Sequence, residues 1–356
     1  MAALTEEQTM LRDMAREWAD NESPVTAFRK MRNGAPASFY DPEAWAMQAE
    51  MGWAGILVPE EHGGVGMGYL SLGLVIEQLG RNLAATPLAA TAAATGAILL
   101  GGSDAQKAEW LPRIAAGEIV AALAVDEGPR FAPESIEAAV EGGRLNGAKQ
   151  FVAEGDSAQL FVVAAADGLY LVAGDEGVTR APRKMTDSRS HAQICFKNAP
   201  ATRLEGGEDL LTQVTDRAAI AVSAEMLGMA ESAFAQTNDY LKTRVQFGQA
   251  LASFQALQHR MARMFTELEL MRSAVEGALE AADSGRANIS QEASLAKAVA
   301  NETLHLVSRE MVQLHGGIGM TDEHDAGFYL KRARVLEQMW GNAAWHRDRF
   351  ARLNGY

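Results

Sequence analysis

Residues 209–243 carry an unbroken 3.6-residue apolar repeat without a proline, and 254–282, 290–314 and 326–353 repeat the pattern. An apolar stripe on a helix has to be buried against another element. Four such helices in succession, punctuated by Ser284-Gly285 and Gly316-Gly317, predict an antiparallel bundle over 207–356.

The rest of the chain divides in two. Residues 1–118 read as helices. Thr5 and Gln8 form a capping-box pattern, a helix runs over 44–51 into Gly52-Trp53, and further helices cover 69–79 and 103–116, the last opening on a serine cap. The glycine-rich stretch 59–68 is no phosphate-binding P-loop, because no Gly-Lys-Ser/Thr follows it. From Gly117 the pattern changes. Short apolar runs at 120–125, 144–152, 158–165, 169–173 and 193–196, with turn signals at Gly142-Gly143 and Asp167-Gly168, predict a small β domain over 119–206. The fold class is therefore mainly α with a central β domain.

The 356 residues carry a net charge of −14, which argues against general nucleic-acid binding. The single cysteine, Cys195, allows no intramolecular disulfide and reads as a buried strand residue. The N-terminus, Met1-Ala-Ala-Leu-Thr, has no apolar core of a signal peptide, and the apolar run 88–100 is too short to span a bilayer. A cytoplasmic protein that binds neither membrane nor nucleic acid is expected. No His, Asp or Glu cluster shows metal-ligand spacing. His315 and His346 sit in no motif that demands an imidazole, and the 16 methionines suit bundle cores.

Three segments carry a resemblance: residues 47–66, then Arg244-Val-Gln-Phe-Gly with Phe254-Gln255, then Gln313-Leu-His-Gly-Gly-Ile-Gly-Met-Thr321. In this order, over most of the chain, they resemble the acyl-CoA dehydrogenase family. That resemblance implies two helical domains flanking a β domain, FAD in a cleft, and an acyl-CoA thioester against the flavin. A carboxylate would take the α proton while the β hydrogen leaves as hydride, with hydrogen bonds on the thioester oxygen and a desolvated base making the proton transfer feasible. Electron-transfer flavoprotein is the implied acceptor.

The resemblance further implies that Arg244, Gln246, Phe247, Gln313, Gly316 and Gly317 hold the pyrophosphate and adenosine of a neighbouring subunit's FAD. Arg244 offers a charged fork, and the glycines permit close backbone approach. The side that would meet this chain's own flavin departs from the family. Asp126-Glu-Gly-Pro-Arg-Phe131 replaces a hydroxyl-bearing loop, Phe151-Val-Ala153 replaces a Trp-x-Thr strand, and Trp340-Gly-Asn342 replaces Glu-Gly-Thr. An indole cannot take a proton at neutral pH, so Trp340 is no base.

Glu225, which interrupts an apolar helical stretch, and Asp216, just before Arg217, are the candidate relocated bases; Glu337, almost a helical turn from Trp340, is a third. Two readings stay open. The chain is the half-site subunit of an α2β2 enzyme, as in family members acting on steroid side-chain thioesters, or it is a self-sufficient homomeric tetramer with a relocated base. A non-enzymatic scaffold of the same fold is the control reading.

Overall fold

The computed structural model describes residues 4–34 and 39–356. Met1-Ala2-Ala3, where the reading of the N-terminus begins, lie outside the described residues.

The first helices are α1 (Glu6–Glu22), α2 (Val25–Gly34), α3 (Pro42–Glu50), α4 (Gly68–Arg81), α5 (Leu88–Gly101) and α6 (Asp104–Ala115). The Thr5 and Ser103 side chains cap α1 and α6, each with a reciprocating glutamine, Gln8 and Gln106. The alanine-rich α5 is buried along almost its whole length.

The strands are β1 (Ala121–Ala124), β2 (Ala139–Glu141), β3 (Arg144–Ala153), β4 (Leu160–Ala165), β5 (Gly168–Ala173), β6 (Val178–Pro182), β7 (His191–Pro200) and β8 (Thr202–Arg203). They form two four-stranded sheets, ordered β1-β4-β5-β8 and β2-β3-β7-β6. β1 and β4 pair in parallel, and the remaining pairs are antiparallel. Phe161 of β4 meets Phe196 of β7 edge-to-face at 6.0 Å, joining the sheets across their inner faces. Cys195 lies on β7 as expected but is only half-buried: the alternation sends Ile194 and Phe196 inward and leaves the thiol on the other face.

The chain continues with α7 (Leu210–Thr243), a hairpin of β9 (Val245–Gln246) and β10 (Gln249–Ala250), α8 (Gln255–Ser284), α9 (Ile289–His315), α10 (Ala326–Leu336) and α11 (Ala343–Leu353). One expectation needs correction. The single helix predicted over 326–353 is broken in two, because Trp340 and Gly341 take φ of 58° and 102° and Asn342 caps a new helix through its bond to the Trp345 amide.

By packing, the residues form two compact units: Met1–Arg29, Gly73–Ala84 and Ala219–Tyr356 in one, Lys30–Leu72 and Ala85–Ala218 in the other. In the first unit, α4 and α7 cross at two glycines. A Cβ on Gly228 would lie 1.8 Å from the Glu77 carbonyl oxygen, and one on Gly80 would lie 2.5 Å from that of Glu225. α7 is long and apolar enough to cross a membrane by length and composition, but 83% of that window is buried inside the protein.

Candidate functional site

The segments carrying Arg244 and Gln313 come together in the first unit. α7 ends at Thr243, and the chain turns through the β9–β10 hairpin, whose tip is Phe247 (φ 55°) and Gly248 (φ 81°). Phe247 is 90% exposed, with Val245, Ile318 and Met320 also exposed. Behind them, the Tyr240 ring stacks on His315 at 4.4 Å and the Tyr240 hydroxyl donates to the His315 carbonyl at 3.3 Å, which ties the end of α7 to the end of α9. His315 Nδ1 donates to the Met311 carbonyl at 2.7 Å. Burial pulls its pKa down, so the ring is a neutral stacking element. Gly316 takes φ 66°, and a Cβ on Gly316 or Gly317 would meet nothing within 4 Å. The Arg244 guanidinium pairs with no carboxylate among the described residues. Arg244, Gln313, Gly316 and Gly317 are all exposed, each within four residues of the Tyr240–His315 contact. Gln246 turns its amide back to the Val245 carbonyl at 2.9 Å.

The turn at Trp340 lies in the same unit. Its carbonyls are all engaged. His346 Nε2 donates to Trp340 O at 2.8 Å, and Lys297 Nζ donates to Leu336 O at 2.9 Å and Gly341 O at 3.2 Å. Burial, then Lys297, hold the His346 imidazole down to about 3, so it is neutral. Beside the turn is a cavity of about 290 Å³ lined by Asn301, Glu302, His305, Glu337, Gln338 and Asn342, with Ala343 and Ala344.

The candidate bases are placed differently from one another. Glu225 accepts both Arg332 Nε at 2.8 Å and Arg332 Nη2 at 3.0 Å, with the two side chains only 10% and 12% exposed. A carboxylate gripped bidentately is committed to that pair. Asp216, on the part of α7 in the second unit, is 2% exposed. Glu337 is raised by burial but is held by Arg334 at 2.7 Å and His305 at 3.4 Å.

In the second unit, the loop after β1 is closed by a buried ion pair that the sequence reading missed. Lys149, on β3, has a fully buried side chain and donates to Glu127 Oε1 at 2.6 Å and Val125 O at 3.0 Å. The Glu127 carboxylate also accepts the Glu137 and Ala138 amides at 2.7 and 2.9 Å. Burial raises Glu127, but Lys149 and the two amides outweigh it and hold the carboxylate below its usual range. Asp126 is pushed up to about 6 by burial, against the pull of Lys149, and its Oδ1 is buried without a hydrogen bond among the described residues. Phe151 sits at a register break in the β3–β7 ladder with φ 51° and is 42% exposed. No side chain among residues 126–131 and 151–153 carries a hydroxyl, and the Glu127 carboxylate is taken up by Lys149 and two amides, so these residues lack the hydroxyls with which a hydroxyl-bearing loop and strand would meet an isoalloxazine. Lys149 and Lys297 both had a signal in sequence. Each occupies an inward position of its period, alternate along β3 and on the apolar face of α9.

The signature of the acyl-CoA dehydrogenase N-terminal domain matches residues 5–118, and that of the C-terminal domain matches 205–353. The acyl-CoA dehydrogenase IpdE2 of Mycolicibacterium smegmatis is 32% identical, over 95% of this chain and 96% of that protein. Among solved structures, the Tcur3481-Tcur3483 steroid ACAD superposes with a TM-score of 0.91 at 30% identity, covering 98% of both chains. The ChsE4-ChsE5 complex from Mycobacterium tuberculosis gives 0.92 at 26% identity over the full length of both. With both signatures matched and the fold shared throughout, the chain belongs to the acyl-CoA dehydrogenase family, whose members are FAD-dependent oxidoreductases.

Proposed function

We propose that this chain is the half-site subunit of a heteromeric acyl-CoA dehydrogenase: it completes the FAD site of a catalytic partner in an α2β2 complex that dehydrogenates an acyl-CoA thioester, with a steroid side chain as the acyl class. The observation that carries this reading is the asymmetry of the two surfaces. Arg244, Gln313 and Gly317 are retained and exposed in the first unit, whereas the positions that the resemblance assigns to the own-flavin side carry Asp126 and Glu127 in the second unit and Trp340 in the first. The similarity to two-chain steroid enzymes supports the partner and the substrate class.

In this arrangement Arg244 and the Gln313 amide would hold the diphosphate of the partner's FAD, and Gly316 and Gly317 would leave room for close backbone approach. Phe247 supplies apolar cover. Bound FAD supplies the hydride acceptor; abstraction of the α proton belongs to the partner. The assembly passes its electrons to an electron-transfer flavoprotein and works in the cytoplasm, and 1–118, 119–206 and 207–356 are its proposed domains in chain order.

The second reading is a homomeric enzyme using Asp216 or Glu225. It is favoured only by the burial of Asp216, since Arg332 engages Glu225. Flavin absorbance and native mass decide between them. The half-site reading expects a colourless chain that takes up FAD and supports turnover only when mixed with a second dehydrogenase subunit. About one FAD per chain in the purified protein alone would overturn it, and mixed complexes without turnover would leave the scaffold reading.

A further inference from the structure

We propose that Lys297 is a positioning residue whose ammonium, shared between Asn301 Oδ1, Leu336 O and Gly341 O, holds the Trp340–Asn342 turn in its left-handed conformation. The proposal concerns this chain's own fold and does not depend on which subunit carries the flavin.

The Lys297 side chain is fully buried in the first third of α9. Its three acceptors lie at 2.7, 2.9 and 3.2 Å, in the order Asn301 Oδ1, Leu336 O, Gly341 O. An ammonium has three donors, so each N–H has one acceptor. Leu336 O is the last carbonyl of α10, where a cation also meets the negative end of the helix dipole. Asn301 Nδ2 adds a second bond to Gly341 O at 3.3 Å.

The turn needs such support. A tryptophan at φ 58° is strained and persists only where its surroundings over-determine it. Here Trp340 O is held by His346, Gly341 O by Lys297 and Asn301, and Asn342 caps α11. Gly341 has no room for a side chain, since a Cβ would lie 2.8 Å from His346 Nε2. Asn342 of the same turn lines the 290 Å³ cavity together with Gln338, Asn301 and His305. Burying a charge in a bundle core only to replace a structural leucine would be costly. The three directed bonds give that charge a purpose at the position where the family places its Glu-Gly-Thr.

The clamp also responds to proton occupancy. A neutral amine keeps two donors, so one of the three bonds must be lost on deprotonation. Burial pushes Lys297 down to about 7, against the attraction of Glu337 just beyond α10. His346 on α11 faces it as well, with Arg349 behind. The local and global effects then run in opposite directions. A lysine lowered in the folded state costs stability below about 7, and that cost is relieved as pH rises from there toward the ordinary lysine value, whereas the turn loosens as pH passes through about 7.

Hydrogen exchange over peptides covering 338–346 tests this in the full-length chain, comparing wild type with Lys297→Met, Lys297→Arg and Asn301→Ala. Lys297→Met should speed exchange in that segment by about tenfold or more, with peptides from β7 and α1 unchanged. Lys297→Arg should restore most of the protection. After correction for intrinsic rates, wild type should lose protection of the turn between about pH 6 and 8, and Lys297→Arg should not. Unchanged protection in Lys297→Met, or a loss spread evenly over the chain, overturns the proposal. Should Lys297→Met fail to fold, Asn301→Ala and the pH profiles of wild type and Lys297→Arg decide: identical profiles overturn it.

Discussion

Arg332 holds Glu225 through two hydrogen bonds, Nε to Oε1 at 2.8 Å and Nη2 to Oε2 at 3.0 Å, where both side chains are almost fully buried. The carboxylate that interrupts the apolar face of α7 is thereby accounted for by a partner on α10. Glu225→Gln should cost stability, because it leaves the guanidinium buried without its counter-charge; the loss should be about 3 kcal/mol. A urea melt measures it. The folded fraction should support the same turnover in the assembled enzyme as wild type, and a loss of turnover without a loss of stability would return Glu225 to the role of base.

Arg244 is exposed at the base of the β9–β10 hairpin, and its side chain makes no hydrogen bond or ion pair among the described residues. Arg244→Ala should leave the melting temperature of the isolated chain nearly unchanged, within about 0.5 kcal/mol. It should lower the FAD content of the assembled complex after gel filtration. Full flavin retention would remove Arg244 from the cofactor site.

Asp126 offers a prediction with a defined sign. Its carboxyl is raised to about 6, so the ionised form is disfavoured in the folded chain. The group's stabilising contribution is complete below the unfolded value and is lost as pH rises through the folded one. Asp126→Asn should therefore stabilise the chain above pH 6, on the order of 2 kcal/mol, and the gain should vanish toward pH 4. Thermal melts of both proteins across that range test this, and a gain independent of pH would contradict it.

The α4–α7 crossing has no room for a methyl group at Gly228, where a Cβ would lie 1.8 Å from Glu77 O. Gly228→Ala should lose roughly 3 kcal/mol through overpacking. Gly317→Ala, whose Cβ would meet nothing within 4 Å, is the matched control and should melt like wild type.

The legible parts of this chain were those written in local spacing. The Thr5 and Ser103 caps, the first three long apolar repeats and the turns at Gly142-Gly143 and Asp167-Gly168 each depend on residues a few positions apart. The break at Trp340 was missed although Gly341 and Asn342 mark it, because the apolar repeat continues across the turn and hides the punctuation. The short β2, β6 and β8 were missed for a different reason: they owe their strand conformation to their partners in the sheet. Site chemistry was harder to read. Glu225 was singled out as a costly buried carboxylate, but its partner is 107 residues away and only the packing of α7 against α10 reveals it. Lys149 and Lys297 stood at inward positions in plain sight; a lysine there passes for a register slip until its acceptors are known.

The exposed Phe247 hairpin has a consequence for how such an enzyme would lose its cofactor. If the groups that grip the diphosphate belong to one polypeptide and the ring-facing groups to another, flavin affinity cannot be a constant of either chain. It becomes a property of their encounter, tightening with total protein concentration and collapsing on dilution along the same curve as subunit dissociation.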